Sequence, residues 1–153
     1  MNRNHIAALS LSAAAFVGMA VHEGYRETAY TPVAGDRLTI GFGSTEGVKP
    51  GERISVERAL IRALQDSEKF SAAVKRCVKV PLYQHEFDAY VSFSYNIGPG
   101  AFCNSTLVRL LNQGKYQEAC MQIDRWVYFQ GRKLPGLITR RAEERNRCLG
   151  VKT

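Results

Sequence analysis

The apolar and polar positions divide the chain into a long uncharged start, a short alternating stretch and a succession of helical stripes. Ile6 to Val21 reads IAALSLSAAAFVGMAV without a single charge, behind a short start that carries Arg3. After His22 the period shortens. Leu38-Thr39-Ile40-Gly41-Phe42 alternates, Gly35-Asp36 precedes it as a turn signal, and Thr28-Ala29-Tyr30 is placed to pair with it as a small antiparallel unit. From Ser55, a good N-cap, the residues Val56, Ala59, Leu60, Ala63 and Leu64 share one face and predict a helix to about Arg76. Pro81 resets the chain, and Phe87, Tyr90, Val91, Ser94 and Tyr95 mark a second stripe that Gly98-Pro99-Gly100 ends. Ser105 caps a short helix through Leu107, Leu110 and Leu111, closed by Gly114, and another helix is expected from Tyr116 to about Trp126. The loop from Gln130 to Gly136 leads to a last helix bearing Arg140, Arg141, Arg145 and Arg147. No repeat or linker interrupts this order. A mainly helical domain with one small β element near its start is an α+β organisation.

Composition narrows the class. A chain of 153 residues, 45% hydrophobic and 23% charged, has room for one compact domain with a real core. Its net charge of +7 favours an anionic partner: nucleic acid, an acidic lipid surface or a cell-wall polymer. No helix-turn-helix with a basic recognition face and no zinc pattern is present, so a nucleic-acid partner is not expected. The four cysteines, Cys77, Cys103, Cys120 and Cys148, are widely spaced and form no C-x-x-C pair, which fits two structural disulfides in an oxidising compartment. Three connectivities are open to them. The three histidines are scattered, and neither a metal nor a cofactor is expected. Ile6–Val21 is too short and too rich in Ala, Ser and Gly for an ordinary spanning helix, which needs about 20 apolar residues. A signal-peptide core and a buried first helix are the other readings of such a stretch.

Chemistry concentrates where the uncharged segment ends. A carboxylic acid beside apolar residues keeps its proton to higher pH, because burial disfavours the charged form; a general acid for a glycosidic oxygen needs that property. Glu23 is so placed. From Glu23-Gly24-Tyr25-Arg26 the chain continues through Ala29-Tyr30 to Gly35-Asp36-Arg37-Leu38-Thr39-Ile40-Gly41-Phe42-Gly43. This resembles the active-site segment of phage-type lysozymes (endolysins), in which E-G-x-R-x-x-x-Y precedes a T-I-G-x-G strand. Phe93-Ser94-Tyr95-Asn96-Ile97-Gly98, Gly100-Ala101-Phe102, Ser105-Thr106-Leu107, Leu111-Asn112-Gln113-Gly114 and Arg125-Trp126 are similar to the family's central helices. Gly136-Leu137-Ile138-Thr139-Arg140-Arg141-Ala142-Glu143-Glu144-Arg145 resembles its C-terminal signature.

The resemblance implies hydrolysis of the β-1,4 bond between N-acetylmuramic acid and N-acetylglucosamine in peptidoglycan, causing lysis of the bacterial host. It gives Glu23 the role of proton donor and Thr39 that of a hydroxyl holding the attacking water. The family's Asp stands two residues after the tyrosine. Here Pro32 occupies that position, and the segment up to Thr39 is one residue longer. Asp36 is the nearest carboxylate on the loop and takes the base or electrostatic role, with Glu27 as the second candidate. Two carboxyls are needed because one donates a proton while the other stabilises positive charge or activates water; a wide separation leads to inversion, which the resemblance favours. Arg141 falls where the resemblance suggests a partner for the catalytic Glu. The aromatic stripe Phe87, Tyr90, Phe93 and Tyr95, and Trp126 with it, reads as packing and not as a sugar platform.

In this family the catalytic Glu ends the first helix, so that helix lies within Ile6–His22. A soluble first helix should be amphipathic, whereas this segment resembles the signal-arrest-release segment of certain endolysins, which is exported, held in the membrane and later released uncleaved. Six Ala, two Ser and one Gly among its sixteen residues then ease its departure from lipid. The implied organisation is a segment over 1–22 that doubles as the first helix, followed by a monomeric catalytic domain over 23–153. The implied location is the periplasmic side of the host inner membrane, then the periplasm. For the cysteines, Cys77–Cys103 and Cys120–Cys148 are favoured, since each would join the regions flanking one helical segment and the resemblance to exported endolysins supports both. The competing reading is a non-catalytic, membrane-anchored peptidoglycan-binding protein with a lysozyme fold, which the missing Asp at position 32 would explain.

Overall fold

A computed structural model describes residues 2–152, which fall into two compact units. Phe16–Lys69 forms one; residues 2–15 with residues 70–152 form the other.

In the smaller unit, helix α1 (Ala13–Glu23) leads into strand β1 (Arg26–Tyr30), which pairs antiparallel with β2 (Thr39–Gly41). Arg26 faces Gly41 and Tyr30 faces Thr39, with an irregularity between the two pairs. The expected β element is therefore present. A third segment, not foreseen, lines the other edge of β1: Ala29 N–H donates to the Glu52 carbonyl and Ile54 N–H to that of Glu27, both at 2.9 Å. Helix α2 (Val56–Cys77) begins after the predicted Ser55 start, and its residues up to Lys69 complete the unit. Its buried face is narrower than the sequence stripe. Ala59 and Ala63 are buried, but Val56 and Leu64 stand about half exposed. Ile40 is fully buried on β2.

The larger unit is built around α3 (Gln84–Ile97), whose residues Glu86 to Ser94 are all buried. Phe87, Tyr90 and Phe93 are core, as their spacing predicts. Tyr90 and Phe93 pack on Phe102, and Phe93 meets Trp126 edge-on at 5.7 Å. Burial pushes the Tyr90 phenol far up from its ordinary value. Short helices α4 (Pro99–Cys103), α5 (Thr106–Asn112) and α6 (Tyr116–Gln122) follow. Ser105 caps α5 as expected, its Oγ accepting from Val108 N–H. The helix expected to reach Trp126 stops at Gln122 and tightens into a 3-10 turn over Ile123–Arg125. The stretch expected as loop contains a hairpin of β3 (Tyr128–Phe129) and β4 (Arg132–Lys133). Gln130 and Gly131 both adopt positive φ at its turn, a geometry that matches the twist of the flanking strands. Helix α7 (Pro135–Cys148) packs along α3, with Glu144 accepting from Ser92, Arg140 and Arg141.

Both disulfides form with the favoured pairing. Cys77–Cys103 and Cys120–Cys148 close loops with sequence separations of 26 and 28. In the chain-entropy treatment each contributes about 3.5 kcal/mol by restricting the unfolded chain.

The N-terminal residues of this unit are fastened by polar contacts. Arg3 reaches the buried Glu86 carboxylate at 2.9 Å and stacks on the rings of Tyr83 and Tyr116. Hydrogen bonding to Glu86 holds the Arg3 guanidinium above its ordinary value. Asn4 and Leu82 exchange two backbone hydrogen bonds. Ser12 donates its N–H and hydroxyl to Asp88, at 3.0 and 2.7 Å, while its Oγ accepts from Ala15 N–H and starts α1. Among the described residues no helix is long and apolar enough to cross a membrane.

Candidate active site

Glu23 is the last residue of α1. The helix stops there because Gly24 takes the left-handed conformation, φ +69°, and caps it by donating its N–H to the Ala20 carbonyl at 3.0 Å. The Glu23 side chain is half-buried. It lies against the turn that follows β2. Ile40 and Ser44 exchange backbone hydrogen bonds of 2.9 and 3.0 Å across Gly41-Phe42-Gly43. Gly43 has φ +90°, and a Cβ placed on it would stand 3.1 Å from Glu23 Oε2. Only glycine meets both demands of this position, the conformation and the close approach of the carboxylate. Gly41 meets another: its Cβ would come within 2.8 Å of Ala59 Cβ, so glycine and alanine together allow β2 to lie directly on α2.

Thr39 opens β2 and is buried, with Oγ1 donating to the Arg37 carbonyl at 3.2 Å. Thr39 and the turn receiving Glu23 thus belong to one continuous strand-and-turn segment. Asp36 sits on the loop between β1 and β2, exposed to solvent. Its N–H donates to the Val33 carbonyl at 2.9 Å, and Gly35 with φ +91° supplies the positive φ of that turn. Pro32 is exposed on the same loop. Glu27 is engaged elsewhere: its Oε1 accepts from Arg53 Nη2 at 2.7 Å, beside the segment that lines the outer edge of β1. Arg141 lies in the larger unit, fully buried on α7. Its Nε donates to the Trp126 carbonyl at 2.9 Å, and its other nitrogens donate to Glu144 and Asn96.

Gly43, Ser44 and Asp66 join the strand-and-turn segment without a sequence signal that marks them for it. Gly43 was legible as part of T-I-G-F-G, but its approach to Glu23 was not. Ser44 is buried and donates to Asp66 Oδ2 at 2.6 Å, a contact across 22 residues with no local signature.

The family model for phage lysozyme matches residues 20–144, most of the chain and all of the strand-and-turn segment just described. The chain belongs to the phage lysozyme family. Among proteins similar to it is a SAR-endolysin of Pseudomonas phage phiKMV, 37% identical over 141 residues, covering 90% of this chain and 87% of that protein. An endolysin of Bacillus phage B103 is 39% identical over 125 residues, 80% of this chain; the chain spans only about half that protein's length, 48%. Of solved structures, the muramidase domain of SpmX from Asticaccaulis excentricus superposes with a TM-score of 0.86 at 35% identity, covering 92% of this chain and 98% of that one. As a family member the chain carries the lysozyme α+β fold, and its Glu23, Thr39 and Gly43 fall inside the matched region.

Proposed function

We propose that this chain is an endolysin that hydrolyses peptidoglycan as a muramidase, cutting the β-1,4 bond between N-acetylmuramic acid and N-acetylglucosamine. The observation that carries the reading is the seat of Glu23: a half-buried carboxyl at a helix end, held against a glycine turn contiguous with Thr39. Glu23 donates its proton to the glycosidic oxygen as the C1–O bond breaks. Asp36 stabilises the developing positive charge or takes a proton from the attacking water, and Thr39 holds that water. One water is consumed: its hydroxyl becomes the new C1 hydroxyl of N-acetylmuramic acid, and its proton restores the enzyme's acid. Digestion of purified sacculi checks the bond chosen. Borohydride reduction followed by mass spectrometry should find reduced N-acetylmuramic acid at the new ends. Reduced N-acetylglucosamine, or a 1,6-anhydro ring formed without water, would overturn the assignment.

Membrane control belongs to the same proposal. The segment before Glu23 is held in the inner membrane, then released uncleaved to dock on the periplasmic enzyme. Two features support this. Residues 3–12 are fastened by side chains whose partners, Glu86 and Asp88, are buried, so the fastened form is specific. Meanwhile α1 leaves Val17 and Val21 exposed, at 58% and 74%, an apolar face that lipid would cover. Ala15 is buried whereas Ala13 and Ala14 are exposed, which selects the substitutions that bias the segment toward lipid without crowding the docked form. Ala13→Leu with Ala14→Leu adds about 2 kcal/mol of lipid burial per position. The variant should remain in the membrane fraction and lyse poorly after the membrane potential is collapsed. Intact-mass analysis of the soluble active enzyme gives the opposing result its form: a species beginning near Val21 would show a cleaved signal peptide.

A further inference from the structure

We propose that Asp66 and Ser44 are positioning residues for the Glu23 carboxyl; the proposal rests on Glu23 being the proton donor. The turn Ile40–Ser44 forms the floor on which that carboxyl lies, and its placement depends on how firmly the turn is held to α2. One end is held by shape, where Gly41 sits on Ala59 with no room for a side chain. The other end is held by a hydrogen bond, the 2.6 Å contact from Ser44 Oγ to the Asp66 carboxylate. Such a bond to an ionised acceptor is shorter and stronger than a neutral one. The middle is covered from the β1 side. Tyr25 packs its ring 5.5 Å from that of Phe42 and donates its hydroxyl to the Ile54 carbonyl at 2.6 Å.

The turn itself cannot hold this geometry by backbone preference. Gly41 and Gly43 both have positive φ, and glycine is the residue that resists other conformations least. The two main-chain hydrogen bonds between Ile40 and Ser44 close the turn on itself but do not fasten it to α2, and the Ser44 side chain supplies that fastening. Asp66 lies mid-way along α2, so its carboxylate is carried by a rigid element and not by a loop. Cutting the tether should allow Gly43 to move relative to Glu23 while the helix, the strand pairing and the substrate contacts elsewhere remain. A displacement of around 1 Å at a reacting group costs up to about a hundredfold in rate. The loss should therefore appear in kcat and leave KM nearly unchanged.

The experiment compares kcat and KM on soluble peptidoglycan oligomers for Ser44→Ala, Asp66→Ala, the double variant and Asp66→Asn, at a temperature where melting curves show each fully folded. Ser44→Ala and Asp66→Ala should lose at least about tenfold in kcat with KM within about twofold. Asp66→Asn keeps an acceptor oxygen and should recover most of the activity. The double variant separates positioning from stability, because removing both partners leaves no unpaired polar group and restores stability without restoring the tether. Its melting temperature should rise above that of Asp66→Ala while kcat stays low. Wild-type kcat in the folded double variant would overturn the proposal. If Glu23→Gln were itself active, the proton-donor assignment would fall instead, whatever Ser44 and Asp66 do.

Discussion

Replacing Glu23 by Gln is expected to abolish lysis, lowering activity by about a thousandfold or more, while leaving the fold and wall binding intact. The amide has the size of the carboxyl and fits against Gly43, where a Cβ would already crowd Oε2 at 3.1 Å. It cannot release a proton to the glycosidic oxygen, so the leaving group would have to depart as an alkoxide. The measurement is the fall in turbidity of permeabilised Gram-negative cells, beside sedimentation of the variant with purified sacculi and a melting curve. Lysis lost with binding and melting temperature kept is the expected pattern. It also separates the enzyme from a non-catalytic wall-binding protein, for which wild type and Glu23→Gln would be equally inert. Near-wild-type lysis by the variant would remove Glu23 from the mechanism.

The elements visible in the sequence were those with a dense local signal. Val56–Cys77 and Gln84–Ile97 carry long apolar stripes between a start signal and a stop signal, and both formed close to their expected limits. The T-I-G-F-G strand placed Thr39, and the end of the uncharged segment placed Glu23. The elements without a local signal depend on distant partners or on backbone alone. Glu52–Ile54 pairs with β1 through main-chain groups, so its polar Gly-Glu-Arg sequence shows no alternation. The hairpin at 128–133 turns on Gln130 with φ 49°, where Asn or Gly would have announced it. Helix α1 starts at Ala13 and not nearer Ile6 because Ser12, held by Asp88 from 76 residues away, caps it there. Nor does the stripe on α2 show which of its residues are covered: Ala59 lies against Gly41 of β2, while Val56 and Leu64 stand about half exposed.

Asp36→Asn is expected to cost about a hundredfold to a thousandfold in activity, whereas Glu27→Gln should stay within about threefold of wild type. Local chemistry separates the two carboxylates. Glu27 is committed to Arg53 at 2.7 Å, on the edge of β1 that faces Glu52–Ile54. Their side chains are 55% and 69% exposed, so the pair contributes at most about 1 kcal/mol to stability and its loss should be quiet. Asp36 stands three residues before Thr39 on the loop that feeds β2, and its backbone is fixed by the Val33 turn. Nothing in that turn requires the side-chain charge: the hydrogen bond uses the Asp36 N–H, which Asn retains. A fall in activity without a fall in melting temperature would therefore report chemistry and not folding. Reducing ends released from sacculi supply the rate, with thermal melts of both variants alongside. Should Glu27→Gln prove the inactive one and Asp36→Asn the active one, the second carboxylate is Glu27, and the Asp36 loop serves only to deliver the chain to Thr39.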